Sequence, residues 1–219
     1  MANDDWFRNT TWNNQLETEF EGRLKRSRGA FNKAQYLRIQ ASYLLDSNDK
    51  NVQLVGVRLI TRMINDFPTE ESSFLSGNEQ LGDYYLKHGD LRNAEQYFRI
   101  VSDSFKNGKS RNGTSWIADL KLVEVILITN QSAKFEEAYK IGADYDADEL
   151  ILNSDLFYYN ELMALLCYRM NKKGEAKFYA KKAIEISEIN QPQFSRHKKV
   201  GLVQIDNGQL RTLEEISKS

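Results

Sequence analysis

The sequence predicts an all-α protein built from about four helix–turn–helix hairpins, with a capping helix at either end. Three observations carry that prediction. In LGDYYLKHGDLRNAEQYFRIV, residues 81–101, the side chains of Leu81, Gly82, Tyr85, Gly89, Ala94, Phe98 and Val101 fall where two antiparallel helices joined by a tight turn need them. Gly82 and Ala94 are small enough to let the helices approach closely, and Tyr85 and Phe98 fill the space above and below that contact. The separation of 12 between Gly82 and Ala94 returns between Ala164 and Ala176, an internal check on the repeat. Only two prolines and twelve glycines occur, which suits helices with short connections.

In chain order, residues 2–9 are polar apart from Trp6 and Phe7. Thr10 or Thr11 is the expected N-cap of a helix over about 12–28. Its apolar stripe is Trp12, Leu16, Phe20 and Leu24, with acids early, bases late and Gly29 as the stop. Such a narrow stripe needs neighbours, so residues 1–32 read as an aromatic segment and a capping helix. Residues 33–190 read as the hairpins. The first pairs 33–45 with 52–66, Ala41 against Gly56, and Pro68 marks its end. The second is 75–106. KNGKSRNGTS then carries turn signals and no apolar residue, which makes it a loop. The third hairpin pairs 116–129 with 134–146. Its first helix, WIADLKLVEVILI, is apolar nearly all round and should be covered on several sides. The fourth pairs 157–170 with 173–188, its small lattice being Ala164, Cys167, Ala176, Ala180 and Ala183. Residues 191–219 form a C-terminal capping segment, with Asp206 placed to cap a helix over about 209–217 edged by Leu210, Leu213 and Ile216.

Composition excludes several classes. With 41% apolar and 28% charged residues and a net charge of −1, the chain has no general pull toward nucleic acid or an anionic bilayer. The lone Cys167 rules out an internal disulfide framework. No apolar run approaches the ~20 residues of a membrane span. The opening MANDDWFRNTTW has acids and asparagines where a signal peptide would carry positive charge, so a cytoplasmic location and no membrane partner are expected.

Over residues 34–190 the chain resembles the tetratricopeptide repeat (TPR) family, on the L-G-x-x-Y…A…F pattern of the second hairpin and the alanine lattice of the fourth. The opening DDWFRNTTWN is similar to bacterial proteins that carry such repeats. The resemblance implies an α-solenoid whose first helices line a concave groove for a peptide or protein; for want of a convergent polar constellation, no catalysis and no cofactor are expected. Carried over position by position, the groove residues are Gln35, Arg38, Ser42 and Leu45, then Ser76, Glu79, Asp83 and Leu86. The third hairpin would supply Ile117, Leu120, Glu124 and Leu127, and the fourth Tyr158, Glu161, Leu165 and Tyr168. Members that clamp a C-terminal carboxylate use a Lys and an Asn where this chain has Arg38 and Ser42, then Glu79 and Asp83. Two acids repel a carboxylate, so the expected ligand is a mixed-charge or basic-plus-apolar segment.

Candidate chemistry is sparse. His88 in KHGD lies at a helix C-terminus, where an imidazole meets free carbonyls, and His197 lies in the basic loop SRHKK. Two distant histidines and one cysteine assemble neither a nucleophile–base pair nor a zinc site. ADYDADE, residues 143–149, lacks the glycine and spacing of a calcium loop and reads as a solvated turn. Residues 106–110, KNGKS, lack the first glycine of a phosphate loop. Cys167 reads as a buried, inert lattice residue. Two alternatives to the peptide-binding adaptor remain. Arg23, Lys25, Arg26, Arg28, Lys33 and Arg38, with Phe31 or Tyr36 to stack on bases, could contact nucleic acid. Terminal helices could instead join copies of the chain into a scaffold. Trp6, Phe7 and Trp12 read as a seal on the end of the hairpin row, or as a docking anchor.

Overall fold

A computed structural model describes residues 5–219, all helix, turn and loop with no strand among the described residues. The start of the expected 1–32 segment, residues 1–4, lies outside them. The contacts divide the chain into two units, 1–118 and 119–219, so the division falls inside the stretch read as one row of hairpins.

In the first unit, α1 (Asn14–Arg26) starts at Asn13, whose side chain accepts from the backbone N–H of Leu16 at 2.9 Å. The cap is therefore neither Thr10 nor Thr11. The segment before it is pinned further upstream: the Asn9 backbone N–H and side-chain amide donate to buried Gln40, which donates back to the Asn9 carbonyl. Trp6 packs on Phe7, Phe20 and Tyr36, and Trp12 on Phe20, so the aromatic cluster is packed against this unit's core. Helix α1 ends at Ser27. Gly29 is left-handed (φ 79°) but opens the next helix instead of closing this one.

Helices α2 (Ala30–Leu45) and α3 (Lys50–Asp66) form the first hairpin, longer at both starts than expected. A Cβ on Gly56 would lie 3.0 Å from the Ala41 carbonyl, so the small pair does set this crossing. Helices α4 (Glu71–Lys87) and α5 (Leu91–Lys106) form the second, and α4 also packs on α3 and α2. Ala94 and Phe98 are fully buried, and the Phe98 ring occupies the space that a Gly82 side chain would need. Tyr85 stacks on Tyr97. On the other side, α1 is tied to α3 by Arg58–Glu17 and Arg62–Glu21 ion pairs.

The second unit holds α6 (Ala118–Ile128) from its second residue on, the short α7 (Phe135–Ala143), the hairpin α8 (Asn153–Arg169) with α9 (Lys173–Ser187), and α10 (Asn207–Lys218). Leu122, Val123, Val125 and Ile126 of α6 are fully buried, as its all-round apolarity required. Leu120 is buried with them, so it belongs to the core and not to a groove. Ala164, Cys167, Ala176, Ala180 and Ala183 have no exposed surface. Asp206 closes a full capping box with Gln209, and α10 lies on α9 and α8, burying Leu213 and Ile216. No helix among the described residues is long and apolar enough to cross a membrane.

Candidate functional site

The residues assigned to a groove do not share one environment. Glu79, in the middle of α4, is 4% exposed. Its carboxylate accepts from the backbone N–H of Ser115 at 2.8 Å and from the Ser115 hydroxyl. The loop that supplies Ser115, residues 107–117, is strapped along α4. Lys109 pairs with Glu71, and a Cβ on Gly113 (φ 87°) would collide with Ser72, so only glycine fits there. Arg111 lies over the Phe105 ring and donates to the Trp116 carbonyl. Trp116 itself holds a left-handed backbone (φ 72°), rare for so bulky a residue. Glu79 is an anchor for the chain's own loop, which corrects its assignment as a ligand contact. Arg38 likewise turns inward, donating to Ser76 at 3.3 Å, and burial lowers its guanidinium pKa below the ordinary value.

The second unit repeats the pattern. Glu161 on α8 accepts from the Gln209 amide of α10 at 2.9 Å, and its carboxyl is raised above the ordinary range, first by burial. Tyr158 donates to Glu124 at 2.6 Å, so these two groove candidates satisfy each other. Leu165 is half-buried, and Tyr168 is exposed.

What stays open is a cleft of about 260 Å³ in the first unit, between the C-terminal turns of α2 and α4. Ser42, Leu45 and Asp83, all assigned to the groove from sequence, line it together with Asp46, Gln80, Tyr84 and Lys87. Leu86, one turn further on, is half-buried and outside this lining. The four residues missed from sequence are explained by geometry. Gln80 and Lys87 lie three residues before and four after Asp83, and Tyr84 lies four after Gln80, so all are brought to this side by helical spacing. Asp46, within the linker DSNDKN, becomes the C-cap of α2. One side of Tyr84 is occupied by His88, whose ring lies 4.2 Å away. His88 Nδ1 also meets the Tyr84 carbonyl at 2.7 Å and Nε2 the Gln53 amide oxygen at 3.1 Å, which is the helix-end role expected of it.

No family model, curated protein or solved structure matches the chain. The reading of the cleft therefore rests on its own residues.

A second hollow, of about 500 Å³, gathers Lys25, Lys33 and Arg62 beside Glu21 and Asp66. Arg62 pairs with both acids. Tyr36 is packed against Trp6 and Phe7. On the basic 23–38 face Tyr36 and Arg38 are half-buried, while Phe31 is exposed. Among the described residues no group of three or more His, Cys, Asp or Glu could hold a metal ion. Asp146 of the acidic run instead accepts from the Asp148 N–H, an ordinary turn contact. The Cys167 thiol is buried, its pKa pushed up to about 11 by that burial and by Glu175, which leaves little thiolate at neutral pH.

Proposed function

We propose that the chain is a cytoplasmic, non-catalytic adaptor of the tetratricopeptide type, which grips a segment of a partner protein between α2 and α4. The α2–α3 and α4–α5 hairpins act as two successive repeats, whose stacking leaves the first helices facing the partner. The observation that carries this reading is that Ser42, Leu45 and Asp83, placed in a groove by repeat position alone, line one open cleft. A cleft with one apolar wall and a few convergent polar groups is the kind of site that holds a bound segment in register.

The test is capture from cell extract, read by mass spectrometry, with cleft-filling variants as controls. Ser42→Tyr on one wall and Asp83→Tyr on the other should each abolish capture of the partner while thermal unfolding stays unchanged. Undiminished capture by both variants removes the cleft from the mechanism.

A further inference from the structure

We infer that the basic loop between α9 and α10 docks the second unit on an anionic lipid bilayer, as a contact with its surface and not as a span. The inference does not depend on the α2–α4 cleft.

The loop is held in place at two points. Gln193 clamps it to the turn before α8: its amide oxygen accepts from the Asn153 backbone N–H at 2.8 Å, and its amide N–H donates to the Ile151 carbonyl at 2.9 Å. Gly201, in the left-handed region (φ 80°), closes on the same side chain, where a Cβ would collide with the Gln193 amide. Between them the chain makes successive turns, His197 N–H donating to the Phe194 carbonyl and Val200 N–H to the His197 carbonyl. Every residue from 191 to 200 is exposed.

These turns present two kinds of side chain together. Arg196, Lys198 and Lys199 surround His197, and no acid stands between Glu188 and Asp206. Among the described residues no acid pairs with these three cations. Helix α9 continues the sign: residues 172–200 hold eight Lys or Arg against three Glu, a surplus that the whole chain's net charge of −1 conceals. Beside the cations, Phe194 and Val200 are exposed, and Gln193 holds next to them Ile151, which is 76% exposed.

Cations alone suit any polyanion. The apolar side chains narrow the choice, because a nucleic-acid backbone offers phosphates to Arg and Lys but nothing to Ile151 or Val200. An anionic leaflet meets both: its headgroups attract the cations, and the boundary with the acyl chains takes up the apolar side chains. It also demands no complementary shape, which suits side chains carried singly on turns.

The experiment floats the full chain on a density gradient with vesicles of phosphatidylcholine, either alone or with about one third phosphatidylglycerol. The chain should rise only with the anionic vesicles, and less as salt is raised. Lys198→Gln with Lys199→Gln should weaken binding at least tenfold, at about fivefold for each cation. Ile151→Ser should weaken it about threefold with thermal unfolding unchanged, because that side chain already lies in water. Failure to rise with anionic vesicles, or equal rise with phosphatidylcholine alone, overturns the inference. So does binding that ignores the lysine exchanges or Ile151→Ser. Retention on duplex DNA or polyglutamate at a salt concentration that releases the vesicles also overturns it, and assigns the loop to a soluble polyanion.

Discussion

Glu79 and Glu161 stand at the same place in their hairpins, each three residues ahead of a small contact residue, Gly82 and Ala164 respectively. Both lie on the face that repeat position assigns to a ligand, and in both cases the chain covers them itself. The covers differ in kind. Over Glu79 the 107–117 loop brings a backbone N–H and a hydroxyl from one residue, Ser115. Over Glu161 the helix α10 brings the single amide of Gln209, with Glu124 and Asp206 adding negative charge nearby. A carboxylate taken out of water is tolerated in proportion to the donors aimed at it. The Glu161 carboxyl holds its proton more tightly than usual, first because it is buried. An acid at a groove position is thus no guide to ligand charge until the segments lying over it are known.

The sharpest way to break this comparison is Glu79→Lys. The substitution places a cation among donors in a buried site and releases the strap, so it should cost about 3 kcal/mol of stability or more. The measurement is urea unfolding beside Glu161→Lys, whose site under the exposed rim of α10 should tolerate the change better. A loss no larger at Glu79 than at Glu161 would mean that Ser115 anchors nothing.

The small contact residues give a second contrast, of intermediate size. In the first unit the pair is Gly82 with Phe98 four residues past Ala94; in the second it is Ala164 with Ala180 four past Ala176. Volume has been moved from one helix to the other. A Cβ on Gly82 would sit 2.5 Å from the Phe98 ring, so Gly82→Ala should destabilise by about 2 kcal/mol despite the better helix propensity of alanine. Gly82→Ala combined with Phe98→Leu should recover part of that loss, because the two positions share one space. Additive losses in thermal unfolding would show that they do not.

These contrasts also show which parts of the molecule were readable in advance. The hairpins were, because their contacts depend on small residues a fixed distance apart on short, locally paired helices. The tail helix was, because Asp206 and Gln209 form a cap visible as a four-residue pattern. The third hairpin was poorly readable: α6 is apolar on all sides, so periodicity assigns no face, and Leu120 was given to the groove when it lies in the core. What covers the groove was not readable at all. The 107–117 loop is polar and aperiodic, and nothing local says that Ser115 will meet a carboxylate 36 residues earlier. The amphipathic edge of α10 is plain in the sequence, but the surface on which it docks is not.

The smallest effect separates the two glutamates by pH. Glu161→Gln keeps a side-chain acceptor for Gln209 and removes a charge that burial disfavours. Because the folded-state pKa of Glu161 is raised, its favourable contribution is fully present below the ordinary glutamate range and is lost as pH rises through the raised value. The variant has no such loss. It should therefore match the parent at acidic pH and exceed it at neutral pH, by about 0.5 kcal/mol once the water still reaching this half-buried carboxyl is allowed for. Paired urea titrations at acidic and neutral pH measure the difference. At Glu79 the same exchange should lower stability at neutral pH, because it replaces two charge-assisted hydrogen bonds from Ser115 by neutral ones. If both substitutions shift stability in the same direction at neutral pH, the number of donors is not what distinguishes the two sites.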